Sequence, residues 1–298
     1  MRRDLDHLPL AKRHELELVT RILLAEFEDA LKGRNAPHRK AGRILKVVLF
    51  GSYARGDWVA DPVGGYFSDY DLLVIVNHDE LTDVMEYWRG ADDRLLQEQT
   101  VMGRLRTPTN FIVHSLTDVN RQLKRGRPFF VDIVRDGIAL YEAEDHPFEQ
   151  PQRLSVDAAR AEAQASYDQW FVSATRYFAN ACDNVSKKWD KEAAFLLHQA
   201  AERFYHCTLL VLTLYSPKSH KLSFLRSQAE RIASSLIAAW PRTTRFEQRS
   251  FELLRRAYVD ARYSPHYKVT DEELAWLAER VGVVQDLVRD VCEAHLAN

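Results

Sequence analysis

Two continuous runs of apolar residues constrain the fold of this chain more than any other feature of its sequence. The runs are ILKVVLF, over residues 44–50, and YDLLVIV, over residues 70–76. Apolar residues at nearly every position, rather than at alternate positions, are typical of strands buried on both faces. The sequence therefore predicts two buried strands, each of which meets a short polar stretch at one end.

The rest of the first half alternates helices with strands. Apolar spacing predicts helices over 10–32, 80–98 and 117–136, the last interrupted near Gly126-Arg127-Pro128, and TNFIVHS and IALYE predict two further strands. This alternation indicates an α/β half.

The composition changes near residue 145. The stretch EAEDHPFEQPQRLS is polar and contains prolines, which suits a linker. After Ser155, a candidate N-cap, helical spacing predicts helices over 155–186, 189–215, 221–238, 245–263 and 270–296. We therefore predict an α+β protein of two domains, residues 1–145 and 155–298, joined by a linker over 146–154.

The overall composition narrows the function classes. The 298 residues carry a net charge of -2, which gives the whole protein no general attraction to nucleic acid or to an anionic membrane. The three cysteines form no C-x-x-C pair, which argues against a disulfide framework or a zinc knuckle. The N-terminus lacks a signal-like apolar stretch, and no apolar run approaches the length of a membrane span. We expect a cytoplasmic protein that does not enter a membrane.

The polar residues at the ends of the two apolar runs suggest a metal-dependent phosphate site. Asp69 and Asp71 lie two residues apart, so in a strand both side chains project from the same face. Adjacent carboxylates repel one another unless a cation lies between them, and oxygen ligands suit Mg²⁺ or Mn²⁺. Gly51-Ser52 could present backbone N–H groups to a phosphate, with Arg55 as a charge clamp. The alternative is a turn at Asp69 beside a solvated Asp71.

This arrangement resembles the nucleotidyltransferase fold of the polymerase-beta-like superfamily, particularly its minimal nucleotidyltransferases. GSYARGD and SDYDLLV are similar to that family's two best-known motifs, and residues 1–145 cover its length. The resemblance implies a small mixed sheet with helices. It also implies that Gly51 and Ser52 hold the triphosphate of an NTP, most readily ATP, and that Asp69 and Asp71 bind the divalent metals. The implied reaction is attack by a hydroxyl on the α-phosphate with release of pyrophosphate.

Two features depart from the family pattern. The insert between Ser52 and Asp69 is long and contains aromatic residues and Gly64-Gly65, which would suit either a lid over a base or a surface loop. The family also places a third carboxylate on the strand facing the aspartate pair, and the equivalent position here is Asn110, a neutral residue. Asp132 has acceptable neighbours, but its segment has helical spacing.

The second half resembles HEPN domains, helical bundles that often accompany minimal nucleotidyltransferases. The resemblance spans roughly 155–296 and is strongest in YSPKSHKL and LLRRAYVDARYSPHY. Arg262 and His266 are the candidate HEPN site, at a spacing one residue shorter than in active HEPN ribonucleases. Tyr267 lies near the position of a tyrosine that is nucleotidylated in paired toxin–antitoxin relatives. The resemblance also implies a homodimer through the helical domain.

These observations leave three hypotheses open. The first is a metal-dependent nucleotidyltransferase that moves an NMP to a protein or RNA hydroxyl, within a toxin–antitoxin-like fusion. The second is a nucleotide- or RNA-binding protein without transfer activity, because of Asn110. The third is a HEPN ribonuclease regulated by its fused partner. On the helix at 189–215, His198, Glu202 and His206 have a spacing that permits metal binding, although a core role suits their apolar neighbours better.

Overall fold

The computed structural model describes residues 1–33, 36–61 and 66–297, and the chain divides into two compact units, Met1–Arg153 and Leu154–Asn298. Gly64 and Gly65, the glycines of the predicted lid or loop, lie outside the described residues. Between residues 143 and 155 the chain forms neither helix nor strand.

In the first unit, helices and strands alternate along the chain. Their order is α1 (Leu10–Leu31), α2 (Pro37–Lys40), β1 (Ile44–Phe50), α3 (Ser52–Arg55), β2 (Ala60–Asp61), β3 (Tyr66–Phe67), β4 (Tyr70–Val76), α4 (Arg89–Thr100), β5 (Thr109–Ser115), α5 (Leu116–Lys124), α6 (Pro128–Asp136) and β6 (Ile138–Glu142). The predicted strands and the interruption between α5 and α6 are confirmed.

The main sheet is small and mixed, as the nucleotidyltransferase resemblance implied. Its strand order is β5-β4-β1-β6, with β1 antiparallel to β4 and β6, and β4 parallel to β5. Every residue of β1 and β4 is buried. One face of the sheet, including Val47 and Leu72, packs in the same core as α1 residues Val19 and Phe27. The continuous apolar runs are explained by this burial.

Gly137 permits close approach on the other face of the sheet. A Cβ at this position would lie 2.8 Å from Val48 Cγ1 and 2.4 Å from the carbonyl oxygen of Ile133, distances too short for a real side chain. The end of α6 can therefore lie directly against β1. Nearby, the rings of Phe50 and Phe129 meet edge to face at 5.6 Å.

The predicted helix at 80–98 is not continuous. The structure has a 3-10 turn at Asp79–Thr82, a π-helical turn at Val84–Trp88 and then α4. Asp83 interrupts the helix because its side chain caps the next turn, accepting a hydrogen bond from the Glu86 backbone N–H. Trp88 is fully buried, and its indole N–H donates to the Leu81 carbonyl at 2.8 Å.

The second unit is all helical in its described residues. Its helices are α7 (Val156–Ser186), α8 (Asp190–Thr213), α9 (Leu222–Ile232), α10 (Arg245–Tyr263) and α11 (Asp271–Ala297). The Ser155 side chain caps α7, as predicted. The helix predicted over 221–238 ends earlier, at Ile232, and a separate 3-10 turn follows at Ser234–Ala239.

Helix α8 is the central element of this unit. Most of its residues are buried, and α7, α9, α10 and α11 all pack against it. A helix that is buried around most of its circumference is typical of a bundle centre. No helix in the described part of the chain is long and apolar enough to cross a membrane.

Candidate active site

The turn after β1 depends on a glycine. β1 ends at Phe50, and Gly51 leads directly into α3 with φ of 75° and ψ of -154°. This conformation is accessible almost only to glycine, because a Cβ would collide with the neighbouring peptide groups. The Ser52 side chain that follows is half-buried. The backbone conformation at the end of β1 therefore requires the glycine of the Gly51-Ser52 motif.

The two aspartates lie at the same edge of the sheet as this turn. The strand register pairs Asp71 with Phe50 of β1 on one side and with Asn110 of β5 on the other. Asp71 is buried, Asp69 is half-buried, and the Tyr70 ring between them is fully buried in the core on the opposite face. Asn110 Nδ2 donates a hydrogen bond to Asp69 Oδ2 at 3.0 Å. The alternation of a strand therefore brings both carboxylates and the Asn110 amide together.

The donor groups at this edge suit a hard divalent cation. Mg²⁺ prefers oxygen ligands and usually retains waters and substrate phosphates in its shell. Within the described residues, no group of three or more His, Cys, Asp and Glu side chains is arranged to hold a metal ion. The protein therefore offers the carboxylates of Asp69 and Asp71 and, if its amide turns, the oxygen of Asn110. A bound ion would need water or substrate oxygens to complete its shell.

Asn110 occupies the position that the sequence predicted for it. It lies on the strand beside the aspartate pair, where the family pattern places a third carboxylate. Asp132, the other candidate for that role, is exposed on α6, and its carboxylate pairs with Arg135 at 2.9 Å. The helical assignment of that segment is confirmed.

The Arg55 guanidinium is engaged by a neighbouring carboxylate. It bonds both oxygens of Asp57 at 3.0 Å, and this ion pair is well exposed to solvent. To act as the predicted phosphate clamp, the Arg55 guanidinium would have to release the Asp57 carboxylate and bind a substrate phosphate instead. Exposed ion pairs of this kind are weak, so the exchange would cost little.

Sequence reasoning missed a buried polar network behind the aspartates. The Glu15 carboxylate accepts hydrogen bonds from Tyr70 Oη at 2.8 Å, Thr107 Oγ1 at 2.7 Å and the Arg106 backbone N–H at 3.0 Å. Burial raises the pKa of Glu15, but these bonds and the charge of Lys12 outweigh it, so the pKa lies below its ordinary value. The only signal in the sequence was an acidic residue on the apolar face of α1.

Aromatic packing and contacts from the N-terminal segment hold α3 in place. The Trp58 ring stacks on Tyr53 with centroids 5.4 Å apart and an angle of 10°. His7 Nε2 lies 2.7 Å from the Tyr53 carbonyl oxygen, and Arg2 donates to the Ala54 carbonyl at 2.7 Å. Trp58 of the insert therefore packs on the protein itself. The N-terminal segment fixes the short helix that follows Gly51.

In the helical unit, the two residues of the candidate HEPN site have different surroundings. The exposed Arg262 side chain donates from Nε to the Tyr258 carbonyl at 2.6 Å, and its guanidinium lies over the Tyr258 ring at 4.5 Å. His266 is exposed beyond the end of α10, with its backbone N–H bonded to Ser264 Oγ. Tyr267 is buried, and its hydroxyl donates to the Leu253 carbonyl at 3.0 Å.

Among the described residues, the three polar side chains spaced along α8 are not arranged to hold a metal ion together. His206 Nδ1 lies 2.6 Å from Ser216 Oγ, whereas Glu202 Oε1 lies 3.0 Å from Nδ1 of His220. His198 is fully buried beside Glu202. Burial lowers the pKa of His198 to about 3 and that of His206 to about 4, so both are neutral near pH 7. His220, which the sequence analysis did not select, completes this cluster from the loop after α8.

Comparison with known proteins agrees with both halves of the fold. A model of the nucleotidyltransferase domain matches residues 25–101, which include Gly51, Ser52, Asp69 and Asp71, and a model of the HEPN domain matches residues 167–291. A protein from Methanocaldococcus jannaschii, named "Putative protein adenylyltransferase MJ0604", is 30% identical over 118 residues. The match spans 40% of this chain and 94% of that protein. The chain therefore belongs to the nucleotidyltransferase family and joins such a domain to a HEPN domain.

Proposed function

We propose that this protein transfers a nucleoside monophosphate from an NTP to a hydroxyl of a protein or RNA and releases pyrophosphate. The observation that carries the proposal is the meeting of Asp69, Asp71 and Asn110 at one sheet edge, next to the Gly51 turn. ATP and a protein hydroxyl are the favoured substrates, because the related archaeal protein is named as a protein adenylyltransferase.

Each group at the site has a defined part in the proposed reaction. The acceptor oxygen forms a bond to the α-phosphorus, the bond from that phosphorus to the β-phosphate oxygen breaks, and pyrophosphate leaves. A divalent ion on Asp69 and Asp71 would neutralise the charge that develops on the phosphates. Gly51 lets the backbone approach the triphosphate closely, and the acceptor proton passes to water or to an aspartate, since Asn110 cannot take it.

The neutral residue at position 110 also favours a second candidate function. A protein that lacks the third carboxylate would bind nucleotide at Asp69 and Asp71 without transferring it at a useful rate. In the structure, Asn110 donates to Asp69, which orients one carboxylate but supplies no base. A ribonuclease at Arg262 and His266 has weaker support, because their spacing is one residue shorter than in active HEPN ribonucleases and each of the two bonds to another residue, Tyr258 and Ser264 respectively. We further propose a cytoplasmic homodimer formed through the HEPN domain, in a toxin–antitoxin-like role.

The test is incubation of the purified protein with each α-labelled NTP and Mg²⁺, following label on the protein and on added RNA. The Asp69→Asn/Asp71→Asn variant is the matched control, because it keeps the shape of both side chains and removes both charges. Label transfer that is lost in the control would support the proposal. If no label moves while calorimetry still detects bound nucleotide in the wild type, the transfer proposal is wrong and the binding function replaces it.

A further inference from the structure

The two edges of the main sheet have different surroundings. β6 forms one edge, and there the Arg2 backbone pairs with Ile138 and accepts a hydrogen bond from the Ala139 N–H at 2.8 Å. β5 forms the other edge, and no further strand pairs with it in the described residues. An edge strand presents a row of backbone donors and acceptors with which another chain can pair. We call the outer side of β5 the open edge.

The strand register identifies the peptide groups that face the open edge. Tyr70 donates its backbone N–H to the Pro108 carbonyl at 2.8 Å, and the parallel register places Tyr70 opposite Thr109. Alternate residues of a strand bond to the same neighbour, so the even-numbered residues of β5 bond to β4. The N–H and C=O groups of Thr109, Phe111 and Val113 therefore point away from the sheet. Among the described residues, these outward groups have no backbone partner.

β5 lacks the features that usually protect an exposed strand edge. Its sequence, TNFIVHS, contains no lysine, proline or acidic residue, and its ladder with β4 runs without a bulge. The ladders of β1 with β4 and with β6, in contrast, each contain a register shift. Proteins commonly blunt an open edge with charges, prolines or bulges, because a regular apolar edge pairs with other chains. A regular edge of this kind is suited to strand addition, in which a partner segment becomes the next strand.

The open edge begins at the candidate active site. Asn110, which donates to Asp69, is the second residue of β5 and lies opposite Asp71. Residues directly opposite one another on neighbouring strands point to the same face of a sheet. A residue of an added strand opposite Asn110 would therefore project from the face that carries the aspartates, one strand spacing of about 4.8 Å beyond Asn110. Its side chain would lie beside the phosphates of an NTP bound at this site.

A cation lies just before the open edge. The Arg106 side chain is exposed, and in the described part of the chain no carboxylate forms an ion pair with its guanidinium. Glu15 bonds only the Arg106 backbone N–H, at 3.0 Å, whereas the neighbouring Arg104 is paired with Glu98. An acidic residue close to the acceptor hydroxyl would complement the Arg106 charge. The charge at this end of β5 therefore favours an acidic acceptor segment over a basic one.

We propose that the open edge binds the acceptor protein as an added strand, with a hydroxyl residue opposite Asn110 and an acidic residue near Arg106. The proposal rests on the transfer function proposed above and adds the form of the acceptor, which is an extended protein segment. The outward peptide groups of Phe111 and Val113 supply the pairing. The chemical step is unchanged: the hydroxyl oxygen bonds to the α-phosphorus, pyrophosphate leaves, and the proton passes to water or to an aspartate.

Transfer to a synthetic peptide tests the proposal. The acetylated peptide Glu-Val-Tyr-Val-Thr would be incubated with the full-length protein, α-labelled ATP and Mg²⁺, beside the same peptide N-methylated at its three central residues. N-methylation removes the donors that strand pairing requires and keeps every side chain and hydroxyl. We expect labelling of the first peptide, and labelling of the methylated peptide that is slower by about tenfold or more, as for the loss of two or three hydrogen bonds.

Substitutions in β5 and before it test the open edge from the side of the protein. Val113→Pro removes an outward N–H without removing a bond to β4, and Val113→Ala is its matched control, because it shortens the side chain and keeps the N–H. The proline variant should label the peptide about fivefold more slowly than the alanine variant, as for one lost hydrogen bond, with the same Kd for ATP. Arg106→Glu should reverse the preference for Glu-Val-Tyr-Val-Thr over Lys-Val-Tyr-Val-Thr, which we expect to be about threefold in the wild type.

The outcomes separate this proposal from the function on which it rests. If no label moves from ATP to any acceptor, the transfer function is wrong and strand addition fails with it. If label moves to added RNA or to the protein itself but to neither peptide, or equally to both peptides, strand addition is wrong and the transfer function stands. A wild-type dimer that Val113→Pro converts to a monomer would show that a second copy occupies β5 instead. Circular dichroism melting identifies a variant that fails to fold, in which case the comparison of the two peptides on the wild type decides.

Discussion

Glu15 in the nucleotidyltransferase domain and Glu202 in the HEPN domain are both buried on helices, but folding shifts their pKa values in opposite directions. The pKa of Glu15 lies below its ordinary value, because three hydrogen-bond donors and Lys12 outweigh its burial. The pKa of Glu202 is raised, because burial outweighs the favourable effects of His220, Arg203 and Gln199. The first carboxylate therefore stabilises its domain as an anion, whereas ionisation of the second costs stability.

The difference separates a structural network from a candidate site. Every oxygen of Glu15 is used inside the protein, and its partners Tyr70 and Thr107 hold the segments on which Asp71 and Asn110 lie. Glu202 instead holds His220, whose ring reaches solvent. Burial of a carboxylate beside a solvent-facing imidazole costs stability, and such costs are concentrated at functional sites.

Of the substitutions that distinguish the two domains, Asn110→Asp is expected to have the largest effect, on the rate of transfer. It replaces a hydrogen-bond donor to Asp69 with a third carboxylate. Transfer in Mg²⁺ should rise by about tenfold or more, since a positioned general base typically contributes a factor of about 100 to 10,000. The rate of label transfer under single-turnover conditions is the measurement.

Asn110→Asp should also change the stability of the protein. Without metal, three adjacent carboxylates repel one another, so Asn110→Asp should melt at a lower temperature than the wild type in EDTA. Added Mg²⁺ should raise its melting temperature more than that of the wild type. Equal responses to Mg²⁺ in the two proteins would contradict the placement of a metal at this sheet edge.

Glu15→Gln should destabilise the first domain by about 1–3 kcal/mol near neutral pH, the cost of leaving a buried hydrogen-bond partner unsatisfied. Because the folded-state pKa of Glu15 is lowered from 4.5, its contribution to stability is present above pH 4.5 and is lost as the pH falls through the lower value. Urea unfolding of variant and wild type from pH 7 downward should therefore show a difference that shrinks in acid.

Glu17→Gln is the matched control, since Glu17 is exposed on the same helix. It should change the free energy of unfolding by no more than about 0.5 kcal/mol, as is usual for surface substitutions. If Glu15→Gln behaved like this control at every pH, the hydrogen-bond network around Glu15 would contribute nothing measurable to the free energy of unfolding.

The sheet-edge site could be predicted from the sequence because its geometry depends on short spacings within strands and on which strands are neighbours. Asp69 and Asp71 share a face through the two-residue period of a strand, and Asn110 follows from its place on the neighbouring strand. Glu15 and His220 were missed because their roles depend on tertiary contacts. Thr107 is 92 positions from Glu15, and His220 reaches Glu202 from a loop 18 positions later. Helical spacing suggested His198, Glu202 and His206 as possible metal ligands, but only the packed structure shows that Glu202 contacts His198 and His220 while His206 contacts Ser216.

Glu202→Gln should have the smallest effect on stability, and its sign should be opposite to that of Glu15→Gln. Because the folded-state pKa of Glu202 is raised, its ionisation costs stability as the pH rises above 4.5, and the neutral amide removes that cost while it can still accept a hydrogen bond from His220. The variant should therefore be as stable as the wild type near neutral pH, or more stable by up to about 1 kcal/mol, and the difference should vanish in acid. Urea unfolding with Glu192→Gln, an exposed change on the same helix, as control would measure this. A destabilised Glu202→Gln variant would show that both buried glutamates are structural and would remove the distinction between the two domains.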